Sequence, residues 1–234
     1  MSETILKFER VSKTYGRKMA LHETSFELPA GKIIGLIGTN GSGKSTTLKL
    51  MAGLLRPSGG SVAVNGRTVK GRIPELVSFL PDGDYLYPFY TVKQTIRLFG
   101  GVYRDFDQIK ALEMMSFLEL NGDQPVKGLS KGNMARFKML LALSRQVPLI
   151  LMDEPLSGLD PLVRGSIIKS LISFIDMDNQ TVVLSTHEVA EIEPLLDMAM
   201  LIHDGRLRSI REVEEIRSSD RMNLVEWMEA AVSR

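Results

Sequence analysis

The chain has 234 residues, of which 44% are hydrophobic and 24% charged, and its formal net charge is +1. These values exclude an intrinsically disordered chain, and the lack of cysteine excludes disulfides and thiolate metal sites. The longest uninterrupted apolar stretch, residues 147–152, is far shorter than the roughly 18 residues that cross a bilayer, and no basic block points to a nucleic-acid partner. We therefore expect one soluble, cytoplasmic domain over residues 1–234.

The first eighty residues predict short strands around a glycine-rich turn. Strands are predicted at residues 5–11, 25–28, 32–37, 61–64 and 77–80. The segment at 32–37 is almost continuously apolar, which is typical of a strand buried on both faces. A helix is predicted over residues 45–51, and Asn65-Gly66 predicts a tight turn.

From Thr91 onward the apolar pattern becomes helical. Apolar residues recur at helical spacing in two groups, first Ile96 and Phe99, and later Ile109, Leu112, Met115 and Leu118. This spacing predicts a helical subdomain over about residues 91–145.

After Ser130 the chain alternates strands and helices, as a parallel sheet requires, so the predicted fold class is α/β. Strands are predicted at residues 149–152, 181–185, 198–202 and 206–209, and one helix face at Val163, Ile167, Leu171 and Phe174. A helical tail over about residues 211–234 places Val225, Met228 and Val232 on one face. That face either docks on the body of the domain or contacts a partner.

One glycine-rich segment has the spacing of a phosphate-binding loop, G-x-x-x-x-G-K-[ST], and follows a predicted strand and precedes a predicted helix. Its glycines let backbone N–H groups point inward, where a helix N-terminus also favours phosphate. Lys44 is expected to reach the β and γ phosphates, and Ser45 to ligate Mg²⁺. The predicted nucleotide-binding residues are Gly38, Thr39, Asn40, Gly41, Ser42, Gly43, Lys44, Ser45 and Thr46.

Two adjacent carboxylates, Asp153 and Glu154, follow the apolar strand predicted at residues 149–152. Ligands of open α/β sheets bind at this end of the strands. We expect Asp153 to hold Mg²⁺ and Glu154 to polarise the water that attacks the γ-phosphate.

The segment Leu129-Ser130-Lys131-Gly132-Asn133 is similar to the L-S-G-G-Q signature of ABC transporter ATPases, and it precedes Asp153 by about twenty residues. With the two motifs above, the chain resembles the nucleotide-binding subunit of an ABC transporter. The resemblance implies a P-loop NTPase core with a mostly parallel sheet, an N-terminal antiparallel β subdomain and a helical signature subdomain. It also implies a head-to-tail dimer, in which Ser130, Lys131 and Gly132 of one copy cover the ATP held by the other. Lys131 and Asn133 depart from the usual signature.

Three further matches follow from this resemblance. Asp160 ends a segment similar to the D-loop, which makes contacts across the dimer. His187 follows a predicted strand, as does the switch histidine that contacts the γ-phosphate. Tyr15 lies ahead of the phosphate loop, where an aromatic ring stacks on adenine; local packing is the alternative role.

Asp82 stands where members of this family usually have glutamine, and Leu86, Pro88 and Thr91 follow at the expected distances. The glutamine side chain approaches Mg²⁺ and the attacking water. An aspartate still accepts hydrogen bonds there, but it adds a negative charge and lacks a donor. Asp82 is therefore predicted as a catalytic and metal-site residue with altered tuning.

Residues 85–90 contain three of the five tyrosines of the chain. In the resembling family this region borders the groove that receives a membrane subunit, and aromatic side chains with polar tips suit such an interface. Tyr87 and Phe89 are predicted to dock a permease; the alternative is packing within the subdomain.

The expected function is therefore ATP hydrolysis with Mg²⁺ by one subunit of an ABC transporter, more in the manner of exporters. The expected partners are a second copy and a membrane permease that attaches the chain to the inner face of the cell membrane; no nucleic acid is expected. A soluble ABC-type ATPase acting on nucleic acid or ribosomes is the alternative, although such proteins usually carry a coiled-coil insertion or tandem ATP domains. A small P-loop kinase would leave Leu129–Asn133 and His187 unexplained, and a regulatory module without hydrolysis would not need Glu154.

Overall fold

The protein, described by a computed structural model over residues 3–232, is built on two β-sheets. A four-stranded antiparallel sheet has the order β2-β1-β4-β5, and a six-stranded sheet has the order β10-β9-β3-β8-β7-β6. The strands are β1 (Thr4–Tyr15), β2 (Lys18–Pro29), β3 (Ile33–Ile37), β4 (Gly59–Val64), β5 (Arg67–Thr68), β6 (Val77–Leu80), β7 (Leu149–Met152), β8 (Thr181–Thr186), β9 (Met198–His203) and β10 (Arg206–Glu212). Within the larger sheet only β10 runs antiparallel to its neighbour.

Helices cover the larger sheet and form a separate layer around residues 92–143. They are α1 (Lys44–Met51), α2 (Val92–Val102), α3 (Gln108–Phe117), α4 (Lys131–Leu143), α5 (Pro161–Phe174), α6 (Val189–Ile192), α7 (Val213–Ser218) and α8 (Leu224–Val232). Short 3-10 turns lie at Val126–Gly128 and Glu193–Leu195. Among residues 3–232, no helix is both long enough and apolar enough to span a membrane.

The central strands are buried on both faces, as their continuous apolar runs predict. On β3, Ile34 and Leu36 pack into the core shared with the antiparallel sheet and α1, whereas Ile33 and Ile37 pack into the core shared with the helical layer. This alternation shows that the six-stranded sheet separates two hydrophobic cores. The predicted α/β class with an antiparallel subdomain is confirmed.

The predicted strands at 77–80 and 149–152 match the observed bounds, but the strand predicted at 25–28 is much longer in the structure. It begins at Lys18 because it pairs with β1 along a hairpin that starts at Tyr15 and Lys18. In its first half only Leu21 is buried, and the apolar residues Met19, Ala20 and Leu21 do not alternate with polar ones, so the strand pattern there is weak. The predicted Asn65-Gly66 turn is present, with positive φ at both residues.

The helical pattern after Thr91 is confirmed, and side-chain caps explain where its helices begin. Thr91 and Gln94 form a capping box at α2, and Asp107 accepts a hydrogen bond from Lys110 N at α3. The face of α3 differs from the predicted pattern: Ile109 and Leu112 are 72% and 49% exposed. Helix α3 buries Ala111 and Met114 instead, and Leu118 of the predicted pattern, at the C-terminal cap, is buried as well.

The C-terminal tail docks on the body of the domain. Docking was one of the two arrangements expected for its apolar face, and contact with a partner was the other. Leu224 is fully buried and Trp227 is 5% exposed, and both join the core beside the helical layer. The predicted face of Val225, Met228 and Val232 packs against the same core while partly exposed. Residues 233 and 234 of this tail lie outside the described residues.

Candidate functional site

The phosphate-loop segment joins the carboxyl end of β3 to the N-terminus of α1. Gly41 and Gly43 have φ values of 79° and 110°, which side chains with a Cβ rarely adopt. A Cβ at Gly43 would also lie 2.8 Å from the Ala20 carbonyl oxygen. Helix α1 has no side-chain cap and no acidic residue in its first turn, so its N-terminal amides present a positive end to the cleft.

Lys44 is curled into the loop with its side chain only 5% exposed. Its Nζ donates hydrogen bonds to the carbonyl oxygens of Gly38, at 2.8 Å, and Thr39, at 3.2 Å. The same Nζ lies 3.1 Å from Glu154 Oε1. Lys44 thus connects the loop to the carboxylate at the end of β7. Ser42, 2% exposed, lies within the loop and accepts a hydrogen bond from Gly205 N through its carbonyl oxygen.

Asp153 is 3% exposed, and a single oxygen of its carboxylate, Oδ1, accepts two hydroxyl hydrogen bonds. Ser45 Oγ donates at 2.9 Å and Ser185 Oγ at 2.8 Å. One hydroxyl and one or two carboxylates, completed by phosphate oxygens, is the kind of oxygen set that Mg²⁺ prefers. Ser45 and Asp153 therefore fit a magnesium ion shared with a nucleotide. Within residues 3–232 no cluster of three His, Cys, Asp or Glu side chains could hold a metal by itself.

Glu154 occupies the centre of the site with its side chain 12% exposed. Its Oε1 faces Lys44, and its Oε2 lies 2.8 Å from His187 Nδ1. Its backbone has a positive φ of 49°, a strained conformation that clusters at functional sites. Its N–H donates to Ser185 Oγ at 2.9 Å, which helps to hold that conformation. A carboxylate fixed between a lysine and a histidine can accept a proton from a bound water.

Ser185 was not predicted as a site residue, yet its hydroxyl contacts both carboxylate residues. It accepts from Glu154 N and donates to Asp153 Oδ1, and it is fully buried at the end of β8. The sequence places Ser185 two positions before His187. Its closeness to His187 in the sequence is the one feature that could have indicated a role for Ser185, because its contacts arise from the pairing of β8 with β7.

An open cleft of about 570 Å³ extends from these residues to the antiparallel sheet. Tyr15, 46% exposed, lies at its outer end, beyond the phosphate loop, at a hairpin that turns at Gly16. Asp82 and Glu154 line its inner end. The predicted site residues that line this cleft are Tyr15, Asn40, Gly41, Gly43, Lys44, Ser45, Thr46, Asp82 and Glu154. Tyr15 and the phosphate loop thus line one cleft, as a ligand that carries both a ring and phosphates would require.

Five further residues line the same cleft without having been predicted. They are Lys18, Met19, Ala20, Asp204 and Gly205. The dipeptide Asp204-Gly205 is typical of a turn, and neither it nor the β2 residues carry a binding motif. Their presence depends on the approach of β2 to the phosphate loop, which no local pattern reveals.

The signature segment lies apart from this cleft. Ser130 caps α4, accepting a hydrogen bond from Asn133 N at 3.2 Å, and a Cβ on Gly132 would lie 2.7 Å from Val163 Cγ2. Lys131 lines a second cavity, of about 530 Å³, together with Asp82, Asp153 and Glu154. Asp160 caps α5 by accepting from Val163 N at 3.0 Å. Ser130, Gly132 and Asp160 thus have structural partners in this copy, and their predicted contacts with nucleotide stay predictions.

Comparisons with known proteins agree with this geometry. The sequence model of the ABC transporter family matches residues 21–157. An uncharacterized ABC transporter ATP-binding protein of Methanocaldococcus jannaschii is 30% identical over 90% of this chain and 79% of its own length. A Nod factor export ATP-binding protein I of Cupriavidus pinatubonensis is 33% identical over 86% of this chain, which spans 64% of that relative.

Two solved structures are similar in fold. An ATP-binding subunit of an ABC transporter superposes with a TM-score of 0.84 at 24% identity, covering 99% of this chain and 100% of its own. A dimeric ATP-binding cassette in a post-hydrolysis state, bound to ADP and Pi, gives a TM-score of 0.79 at 24% identity, covering 89% and 98%. The matched family model and the relatives lead to one conclusion: this chain belongs to the ABC transporter family, as an ATP-binding protein of the ABC ATPase type.

Proposed function

We propose that this chain hydrolyses ATP with Mg²⁺ and thereby drives a separate membrane permease, as a subunit of an exporter. The observation that carries the hydrolysis is the position of Glu154, whose carboxylate lies 3.1 Å from Lys44 Nζ and 2.8 Å from His187 Nδ1. Lys44 is the cation closest to the expected phosphates, so Glu154 faces the point where a water would attack.

In the proposed mechanism each side chain has one task. Lys44 and the α1 amides bind the phosphates, and Tyr15 supplies a ring for the base. Ser45 and Asp153 hold Mg²⁺, which neutralises the phosphate charge when bound. Glu154 orients a water and accepts its proton, while His187 holds the Glu154 carboxylate in place and lies near the γ-phosphate.

Replacement of Glu154 by glutamine tests this mechanism. Glu154→Gln keeps the shape of the side chain, and the backbone N–H of residue 154 can still donate to Ser185 Oγ, so nucleotide binding is expected to persist. Turnover should fall by roughly 100-fold or more, since a glutamine cannot accept the proton. Steady-state ATPase kinetics and equilibrium binding of ATP measure the two effects. Glu215→Gln, on the exposed part of α7, is the matched control; near wild-type turnover by Glu154→Gln would contradict the assigned role.

A second copy of the chain is part of the proposal. Ser130 and Gly132 do not line the cleft that contains Lys44, so this copy's signature segment does not cover its own phosphate loop. A dimeric cassette bound to ADP and Pi among the structural neighbours supports a dimer, and the arrangement we propose for it is head to tail. In that arrangement Ser130, Lys131 and Gly132 would serve the partner's ATP.

The permease partner is supported by an apolar groove between the sheet core and the helical layer. The groove has a volume of about 570 Å³ and is lined by Phe79, Tyr85, Tyr87, Phe99 and Tyr103, among others. Tyr87 is 55% exposed, and Phe89, 67% exposed, packs its ring 5.6 Å from that of Tyr87. Aromatic side chains exposed beside a groove are typical of protein interfaces.

Serine substitution of both aromatics tests the permease contact. Tyr87→Ser combined with Phe89→Ser should abolish co-purification with the proposed permease partner, because the interface loses its largest apolar contacts. Ile109→Ser with Leu112→Ser, on the exposed face of α3, is the control pair. Unchanged co-purification of the Tyr87 and Phe89 variant would refute the docking site.

The direction of transport rests on the relatives named for Nod factor export, which support an exporter. Attachment of this chain to the inner face of the cell membrane follows from the proposed permease contact. Reconstitution of the pair in vesicles, with ATP supplied on the side of this chain, tests both. Cargo leaving that side supports export, and cargo accumulating on it contradicts export.

A further inference from the structure

Lys138 lies on α4 with its side chain only 12% exposed, an uncommon position for a lysine. Its Nζ donates to the Gly83 carbonyl oxygen at 2.5 Å and to Asp84 Oδ1 at 2.8 Å. The same Nζ lies 5.7 Å from the centre of the Tyr85 ring, within the range of a cation–π contact. A nearly buried ammonium needs such partners, and all of them belong to one short loop.

That loop, residues 82–85, connects two sites. Asp82 lines the nucleotide cleft, and Tyr85 lines the aromatic groove. Between them Gly83 has a φ of 96°, a value that residues with a Cβ rarely adopt, and glycine is the residue that restricts its own backbone least. Lys138 therefore holds the middle of this loop by hydrogen bonds, at a point where the glycine does little to restrict the backbone conformation.

The charges around the loop give Lys138 a second effect. Asp82, Asp84, Asp153 and Glu154 line one cavity together with Lys131 and Lys138. Three of these carboxylates approach the expected phosphates, where like charges repel each other. The Lys138 ammonium is bonded to the residues that follow Asp82, and its positive charge offsets part of the negative charge of Asp82.

From these contacts we infer that Lys138 is a positioning residue, which fixes Asp82 toward the nucleotide and couples the loop to helix α4. The inference deepens the proposed function and rests on it for the catalytic effect alone. Because α4 begins at the signature segment, movement of Tyr85 in the groove would be transmitted through Lys138 to both Asp82 and α4.

The test compares Lys138→Met with the wild-type chain. Loss of the charged hydrogen bonds should lower kcat about tenfold, while the KM for ATP changes less than about twofold. Amide hydrogen exchange of residues 82–90, measured without nucleotide, should become faster. Lys138→Arg should restore most of kcat, because it keeps the charge and the donors. Lys93→Met, which removes another ion-paired lysine of the helical layer, is the control.

A double-variant cycle separates positioning from a general loss of structure. If Lys138 acts through Asp82, Lys138→Met should reduce kcat by less than about twofold in the Asp82→Ala background, where no functional group remains at residue 82 to be positioned. Should Lys138→Met fail to fold, Asp84→Asn provides the same exchange readout at an exposed position. Equal kcat losses in both backgrounds, or unchanged exchange of residues 82–90, would overturn the inference. Absence of ATPase activity in the wild-type chain would instead count against the proposed function, since the exchange measurement needs no turnover.

Discussion

The hydroxyl of Ser185 links the two carboxylate residues of the site, and its position is worth testing by itself. Ser185→Ala removes a donor to Asp153 and an acceptor for Glu154 N–H. We expect the free energy of unfolding to fall by about 1–3 kcal/mol, because a buried backbone donor loses its partner. ATP turnover should fall as well, since the strained backbone of Glu154 is held less firmly.

Urea unfolding of the two chains, followed by circular dichroism, measures the stability effect. Ser173→Ala, at an exposed position of α5, is the matched control and should change the free energy of unfolding by less than about 0.5 kcal/mol. Equal unfolding midpoints for Ser185→Ala and the wild type would contradict the structural role given to the Ser185 hydroxyl.

Ser185 also illustrates what the sequence could and could not predict of the site. Lys44, Ser45, Asp153 and Glu154 belong to local motifs whose spacing reflects their chemistry, and the structure brings all four together. Ser185 reaches Asp153 and Glu154 because the strand register pairs Met152 with Leu184 on neighbouring strands. Residues separated by about thirty positions in sequence meet there, and no spacing rule connects them.

At the scale of elements, secondary structure was predicted well where a segment's own residues show how it is buried. Strands β3, β7 and β8 are buried on both faces, so their apolar runs were sufficient evidence. Strand β2 and helix α3 depend on their neighbours. The first half of β2 is held by pairing with β1, and α3 buries Ala111 and Met114 because α4 packs on that side. Neither partner is visible in the local pattern.

The docked tail allows a prediction about α8. Leu224→Ala should lower the free energy of unfolding by about 2–5 kcal/mol, because Leu224 is fully buried in the core beside the helical layer. Leu162→Ala, the same substitution at a position that is 85% exposed, should cost less than about 0.5 kcal/mol. Urea unfolding of both variants checks the difference, and similar midpoints would show that α8 does not contribute to the core.

At the scale of the whole molecule, one chain contains every part of the proposed site but does not bring the parts together. The phosphate loop and Glu154 share one cleft, whereas Ser130 caps α4 outside it. Near-neutral charge and the exposed aromatic rim of the groove also suit contacts with other proteins. The length of a single domain, which the sequence indicates, therefore fits one half of the composite site that we propose.

Mixing two inactive variants tests this composite site. Lys44→Ala removes the phosphate contact, and Ser130→Asp adds a charge that repels phosphate while keeping an equally good helix cap. Each variant alone should be nearly inactive. A mixed dimer joins the intact phosphate loop of one copy to the intact signature of the other, so an equimolar mixture should recover up to about a quarter of wild-type turnover. ATPase rates across mixing ratios measure the recovery, with each variant at doubled concentration as the control. If light scattering detects ATP-dependent dimers in the mixture and the rate still equals the sum of the two variants alone, the head-to-tail sharing of the signature is wrong.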